Sequence, residues 1–133
     1  MRFPFLELPG ERLTLRPVVP IVVEGLPDAP QLCLVDSGSL RNRFGAWVAE
    51  AAGISLEGAP GETVGIGGGT TVARVARVEL SLGETTFEAP VSFCDPWPFS
   101  FNLLGQEGFF RYFRVAIAAA EDWLECTAEP VPE

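Results

Sequence analysis

The stretch "LCLVDSGS", residues 32–39, decides how this chain is read. Four apolar residues, Leu32 to Val35, run straight into Asp36 and then into the small, hydroxyl-bearing turn Ser37-Gly38-Ser39. Apolar residues on both faces mark a strand buried in the middle of a structure, and this one ends in a carboxylate. Taken alone, Asp36 has two explanations. An aspartate after a strand can close a turn by hydrogen-bonding its own backbone, or it can be held at the strand end for chemistry.

Composition narrows the chemistry. A chain of 133 residues has the size of one domain, and 47% hydrophobic against 20% charged residues is a globular balance. The expectation is a single domain over residues 1–133, with its core at about 11–127 and a frayed tail at 128–133. Nine arginines, no lysine and eighteen acids give a net charge of −9. With no basic stripe to neutralise phosphates, neither nucleic acid nor an anionic membrane is expected as a partner. Histidine is absent, which excludes Ser-His-Asp and Cys-His catalysis and removes the commonest zinc and iron ligand. No metal and no cofactor are expected. Cys33, Cys94 and Cys126 are far apart, odd in number and set in apolar surroundings, so they read as buried free thiols. The apolar runs Val18–Val23 and Val115–Ala120 are too short to span a bilayer. The first residues carry no apolar run of signal-peptide length, so a cytoplasmic location is expected.

Outward from Asp36, Gly and Pro punctuate a series of short strands. "RLTLR" alternates, with Leu13 and Leu15 on one face. Pro17 and Pro20 mark "VVPIVVEG" as an edge or broken strand. After the aspartate, Phe44, Trp47, Val48, Ala51 and Ala52 recur at helical spacing, with Asn42 as the starting cap and Gly53 as the close. The Val- and Thr-rich run from Thr70 to Leu82 reads as strand. "LGET" reads as a type II′ turn with Gly83 first, and "TFEAPVSF" puts Phe87, Ala89, Val91 and Phe93 on one face. "NLLGQEGFFRYF" begins as strand and becomes a short helix with Phe109, Phe110 and Phe113 inward. "RVAIAAA" and "DWLECT" are final strands about a Glu121-Asp122 turn. The fold class is mainly β, barrel-like or sandwich-like, with one or two short helices.

Two further motifs carry information. "GIGGGT", around Gly67-Gly68-Gly69, is followed by a strand rather than a helix, and no lysine exists to hold a phosphate. It reads as a hairpin tip, either a plain loop or a lid over a site. "FNLLGQEGFF" is a buried strand that stops at Gly105.

In their order along the chain, "LVDSGS", "VGIGGGTT" and "NLLGQEGFFRYFRV" resemble the retropepsin-like aspartic proteases, from about Leu13 to Ile117. The resemblance implies a retropepsin-like acid-protease barrel, with Asp36 as the catalytic carboxylate. It implies Ile66, Gly67, Gly68 and Gly69 as the tip of a substrate-covering flap. Leu103, Leu104 and Gly105 become the strand of a ψ-shaped support beneath the aspartate. Gly38 would donate its N–H to the carboxylate, Ser39 would add a side-chain donor, and Ser37 would bond across a dimer axis. Serine stands at position 37 where the family more often has threonine, and the flap has three glycines and no tyrosine.

Such chemistry needs two carboxylates sharing a proton, since two like charges in contact cannot both ionise. None of Asp28, Asp95 and Asp122 follows a buried strand with Ser/Thr-Gly behind it, so the second carboxylate should be Asp36 of a twofold-related chain. The implied function is an aspartic endopeptidase acting on polypeptides as a homodimer. The alternative is a catalytically silent domain of the same fold, used for binding or dimerisation. Trp97, Phe99 and Phe101 in "DPWPFSF" either line the substrate channel or close one end of the barrel. Arg41 and Arg43 either pair with acids of the partner subunit or solvate the start of the helix.

Overall fold

The strongest alternation in the chain builds its longest hairpin, and the rest of the barrel forms around it. The computed structural model describes residues 1–130. Its strands run β1 (Arg2–Pro4), β2 (Leu6–Glu7), β3 (Leu15–Arg16), β4 (Val18–Val23), β5 (Gln31–Val35) and β6 (Asn42–Gly45). Helix α1 (Ala46–Ala52) precedes β7 (Glu62–Ile66), β8 (Gly69–Leu82), β9 (Thr85–Asp95) and β10 (Asn102–Leu104). A π-helical turn at Gln106–Phe110, then β11 (Phe113–Ala118) and β12 (Trp123–Ala128), complete the order.

The β8–β9 hairpin pairs Val78 with Ala89 and Leu80 with Phe87. Its turn, Gly83-Glu84, has φ of 57° at Gly83, as the type II′ reading required. Six strands close into a barrel in the order β4-β5-β10-β6-β9-β8, with β8 returning to β4. Strand pairs β5–β10 and β6–β9 are parallel and the others antiparallel. The interior is filled by alternate residues of these strands: Val19 and Ile21, Cys33 and Val35, Phe44, Val78 and Leu80, Val91 and Phe93. Under one end of the barrel, Phe109 stacks on Phe113 at 4.9 Å and meets Phe87 edge-on at 6.3 Å.

Several local expectations need correction. The edge-or-broken reading of β4 holds for its first half only, since the strand as a whole lies inside the barrel sheet. The first half of β4 pairs with β5 from Val18 to Ile21, and pairing with β8 begins only at Val22. The side on which Pro20 lacks an N–H therefore has no neighbour to bond. Residues 42–45, assigned to a helix, form β6 instead, and Phe44 enters the core as a strand residue. The helix starts at Ala46 with Gly45 before it. Its buried residues are Val48 and Ala49, whereas Trp47 is 55% exposed and Ala51 is also exposed. Gly53 closes it in the left-handed region, φ 73°, as anticipated.

The core also begins before residue 11. Phe5 and Leu8 are buried, and β1 pairs with β12 to make a three-stranded sheet β1-β12-β11. The Met1 ammonium donates to the Cys126 carbonyl at 2.9 Å, and the Arg2 guanidinium lies 3.8 Å from the centre of the Trp123 ring. Strands of two or three residues broken by Pro4 have too few positions to show a period. Leu13, assigned to an alternating strand, instead occupies a turn with φ 62°. Of the tail, Ala128 ends β12 and the Glu129 N–H donates to the Tyr112 carbonyl at 2.8 Å. Residues 131–133 lie outside the described residues.

All three cysteines are buried and unpaired. Loss of water around them raises each thiol, Cys126 to about 11. No helix among the described residues is long and apolar enough to cross a membrane.

Phe109 tests the packing. Phe109→Ala removes a fully buried ring that three other aromatics touch, and should cost about 3–5 kcal/mol in urea unfolding. A loss near or below about 1 kcal/mol, the range of volume-conserving core swaps, would mean that the site collapses around the gap and that the aromatic cluster is not a structural centre.

Candidate active site

Strand β10 threads between the two strands that flank the Asp36 turn. It pairs in parallel with β5, which leads into the turn, and antiparallel with β6, which leads out. The result is ψ-shaped, and Leu103 and Leu104 form its central stroke. Asp36 continues the line of β5: its N–H donates to the Leu104 carbonyl at 2.9 Å. Chain direction reverses at Ser37-Gly38, where the Ser39 N–H donates to the Asp36 carbonyl at 3.1 Å.

Side chains lock this arrangement. Asn42 is fully buried; its Oδ1 accepts the Gly105 N–H at 3.0 Å and its Nδ2 donates to the Gly108 carbonyl at 2.9 Å. Asn102, 3% exposed, accepts the Gly45 N–H at 3.1 Å. Just past β10, Gly105 passes so close to the Ser39 and Arg41 carbonyls that a Cβ there would collide with both. The π-helical turn then grips the Asp36 turn from below. Gln106 donates its N–H to the Ser39 carbonyl at 2.9 Å and its side-chain amide to the Ser37 carbonyl at 2.7 Å. The Glu107 N–H donates to the Leu40 carbonyl at 2.8 Å.

The carboxylate itself is half-exposed. Its Oδ1 accepts the Gly38 N–H at 2.9 Å, as the resemblance implied. Ser39 does not supply the second donor assigned to it: its hydroxyl donates to the Arg41 carbonyl at 2.7 Å. The reason is local, since a hydroxyl two residues before a free carbonyl closes its own turn. The Ser37 side chain is exposed. Nearby, the Arg111 guanidinium binds Glu107 through two bonds of 3.0 and 3.1 Å and holds that carboxyl below its usual range.

The glycine hairpin lies between β7 and β8. Gly67 and Gly68 have φ of 54° and 81°, both positive, which is the type I′ turn of a two-residue hairpin. This tip rests beside the aromatic loop: a Cβ on Gly67 would stand 3.3 Å from Phe99. Thr71 at the base of the hairpin donates its hydroxyl to the Pro96 carbonyl. Phe99 stacks on Phe101 and meets Trp97 edge-on, each at 5.2 Å. Phe101 joins a small apolar cluster of Leu8, Val18, Leu34 and Leu103 on the wall behind Asp36. The loop thus covers that wall and reaches the hairpin tip.

Asp28, Asp95 and Asp122 are exposed and apart from the ψ. One chain therefore brings a single aspartate to this place, and the neighbouring Glu107 carboxylate is taken up by Arg111. Sequence reasoning missed Asn42 as an interlock, together with Asn102, Gln106 and Gly108. The available signal was a lone asparagine inside the apolar run "FNLLG", because a buried amide must have partners. The chain matches no protein-family model and no curated protein.

Asn42→Leu keeps the volume and deletes both bonds. Each backbone group left buried without a partner costs about 1–3 kcal/mol, so a loss of about 2–6 kcal/mol is expected in urea unfolding. Wild-type stability in this variant would show that the ψ does not depend on the amide.

Proposed function

We propose that the chain is one half of an aspartic endopeptidase and works as a homodimer about Asp36. The observation that carries this reading is the aspartate's mounting. It stands at a strand end, on a ψ of hydrogen-bonded strands, with the Gly38 N–H on one oxygen and the other left for a reactant. A turn-capping aspartate needs no such foundation. The glycine hairpin and the aromatic loop supply a cover and a wall.

A second copy completes the site. With two Asp36 carboxylates facing one another and sharing one proton, the ionised one takes a proton from a water held between them as the water oxygen adds to the scissile carbonyl carbon, and the C–N bond breaks from the tetrahedral adduct. The protonated one hydrogen-bonds the scissile carbonyl and then passes its proton to the departing amine. The titration belongs to the pair. Raising the pH strips the shared proton and lowering it fills both sites, so the rate profile is bell-shaped and lies on the acid side. The nine excess negative charges per chain disfavour ionisation and so move both limbs of that profile toward neutral pH, and they favour a polypeptide over a nucleic acid as partner. Leu40, four residues past Asp36, is 55% exposed, and Leu13 is 94% exposed; a twofold contact would cover such residues. Three unpaired thiols fit a reducing, cytoplasmic setting.

Sedimentation and proteolysis test the reading together. A dimer is expected, cleaving reduced, unfolded casein at acid pH and blocked by a statine-type inhibitor. Asp36→Asn should lower the rate about 10²–10⁴-fold, the usual contribution of a general acid or base. A strict monomer at every concentration would defeat the dyad. A dimer in which wild type and Asp36→Asn behave alike would leave a non-catalytic dimerisation domain.

A further inference from the structure

Strand alternation puts Arg43 on the same face of the barrel wall as Asp36. In β5, Cys33 and Val35 face the main core, which turns Leu34, and Asp36 beyond it, to the opposite face. In β10 Leu104 faces the core and Leu103 faces out. In β6 Phe44 faces the core, so Arg43 faces out as well. The register joins them in one row, with Leu34 beside Leu103, Leu103 beside Arg43, and Arg43 beside Ser92. Neighbouring strands lie about 4.8 Å apart, so Arg43 stands roughly two strand spacings from the line of β5 that carries Asp36. A polypeptide lying across Asp36 would run over this row.

The state of the Arg43 charge is unusual. Five of the nine arginines, at positions 2, 16, 77, 111 and 114, form ion pairs. Arg12, Arg41, Arg43 and Arg74 form none among the described residues, and burial of a guanidinium nitrogen sets Arg43 apart from the other three. It is half-buried, and its Nη1 is the one buried side-chain nitrogen or oxygen among the described residues with no hydrogen-bond partner. The group facing it is Cys94. Burial outweighs the pull of Arg43 there and keeps that thiol protonated, so it is no counter-ion. That nitrogen is closed off against the thiol, and the accessible remainder of the half-buried guanidinium is left without an anion, which an incoming carboxylate can supply.

We infer that Arg43 is a specificity-determining residue that receives an aspartate or glutamate side chain of the bound polypeptide. The inference rests on the endopeptidase reading and deepens it by naming the substrate class. Guanidinium and carboxylate match as a planar, two-bond pair. A glutamate side chain, with an ordinary pKa of about 4.3, stays largely ionised at about pH 5, so the pair can form within the acid range of the dyad. Twofold symmetry supplies one Arg43 on each side of the scissile bond, and acidic residues should therefore be selected at equal spacing on both sides. The overall charge of −9 opposes such substrates at long range, but salt screens that field beyond about 8 Å while leaving a half-buried contact pair nearly untouched.

The test uses the full-length dimer and a pool of decapeptides randomised at their central positions, with products read by mass spectrometry at about pH 5. Wild type should cut Glu or Asp peptides roughly tenfold better than matched Gln or Asn peptides, the worth of one charge-assisted contact. Arg43→Gln should erase that ratio by losing only the acidic peptides, and Arg43→Glu should move the preference to Arg and Lys peptides. Arg43→Gln slowing both peptide classes alike would overturn the inference and leave Arg43 a structural residue. If wild type cuts nothing, the endopeptidase reading fails, and the same pool is equilibrated with the Asp36→Asn dimer. Retention of acidic peptides that is lost in Asp36→Asn/Arg43→Gln would uphold the Arg43 contact. Retention indifferent to charge, or none, would overturn it.

Discussion

One buried amide holds together the parts of this molecule that bear on chemistry. Asn42 sits on the strand leaving the Asp36 turn and bonds two backbone groups, at Gly105 and Gly108, more than sixty positions away in sequence. Through Gly105 it fixes the end of the threaded strand, and through Gly108 it fixes the π-helical turn. That turn in turn grips the carbonyls of Ser37, Ser39 and Leu40. The carboxylate is therefore positioned by a ring of hydrogen bonds that starts and ends next to it in sequence and passes through the C-terminal part of the chain. A ring of this kind is satisfied completely or fails as a whole, because each member buries groups that the others must bond.

The arrangement also explains why the aspartate stays half-exposed. Its backbone is committed, with the N–H on Leu104 and the carbonyl accepting from Ser39, while only one carboxylate oxygen is engaged, by Gly38. Rigidity comes from the main chain, and the side chain is left open on one side. A twofold partner approaching along that open side would meet a preorganised oxygen and pay little reorganisation on forming a dyad. The exposed Leu40 beside the turn suits the same approach.

Legibility in the sequence followed the length of each pattern. The eleven-residue β9 had enough positions to show alternation and a turn of defined type, and the fourteen-residue β8, mixed in period, was legible from its Val and Thr content. The strand-to-Asp36 junction and the threaded Leu103-Leu104-Gly105 were visible as apolar runs ended by small residues. What misled was overlap of periods. Phe44 and Val48 fit a helical spacing, but the chain switches from strand to helix at Gly45, and a period-3.6 template cannot register a switch inside its own window. Two- and three-residue strands such as β1 and β2 offered no period at all. Side-chain partners were the least legible part of the site. The Ser39 hydroxyl chose the nearby Arg41 carbonyl over the carboxylate, and Asn42 chose backbone groups far along the chain over a local helix cap. Both choices depend on three-dimensional proximity, which composition and spacing do not encode.

The cover of the site constrains where discrimination can reside. Gly67, Gly68 and Gly69 at the hairpin tip have no side chains, so against an extended peptide they offer backbone donors and acceptors, which treat every sequence alike. The half-buried Ile66 adds one apolar contact on the cover side. In the proposed endopeptidase, side-chain selection would then come from the wall, where Leu34 is buried beneath Leu8 and Val18, the half-buried Leu103 and the aromatic residues Phe99 and Phe101 lie beside it, and Arg43 is the one charge set within the row. In the proposed endopeptidase, a lid that reads backbone over a wall that reads side chains would separate general grip from selectivity. Substitution in the row can then change what is bound without disturbing the ring of hydrogen bonds that holds Asp36, because the row faces away from Asn42 and the core.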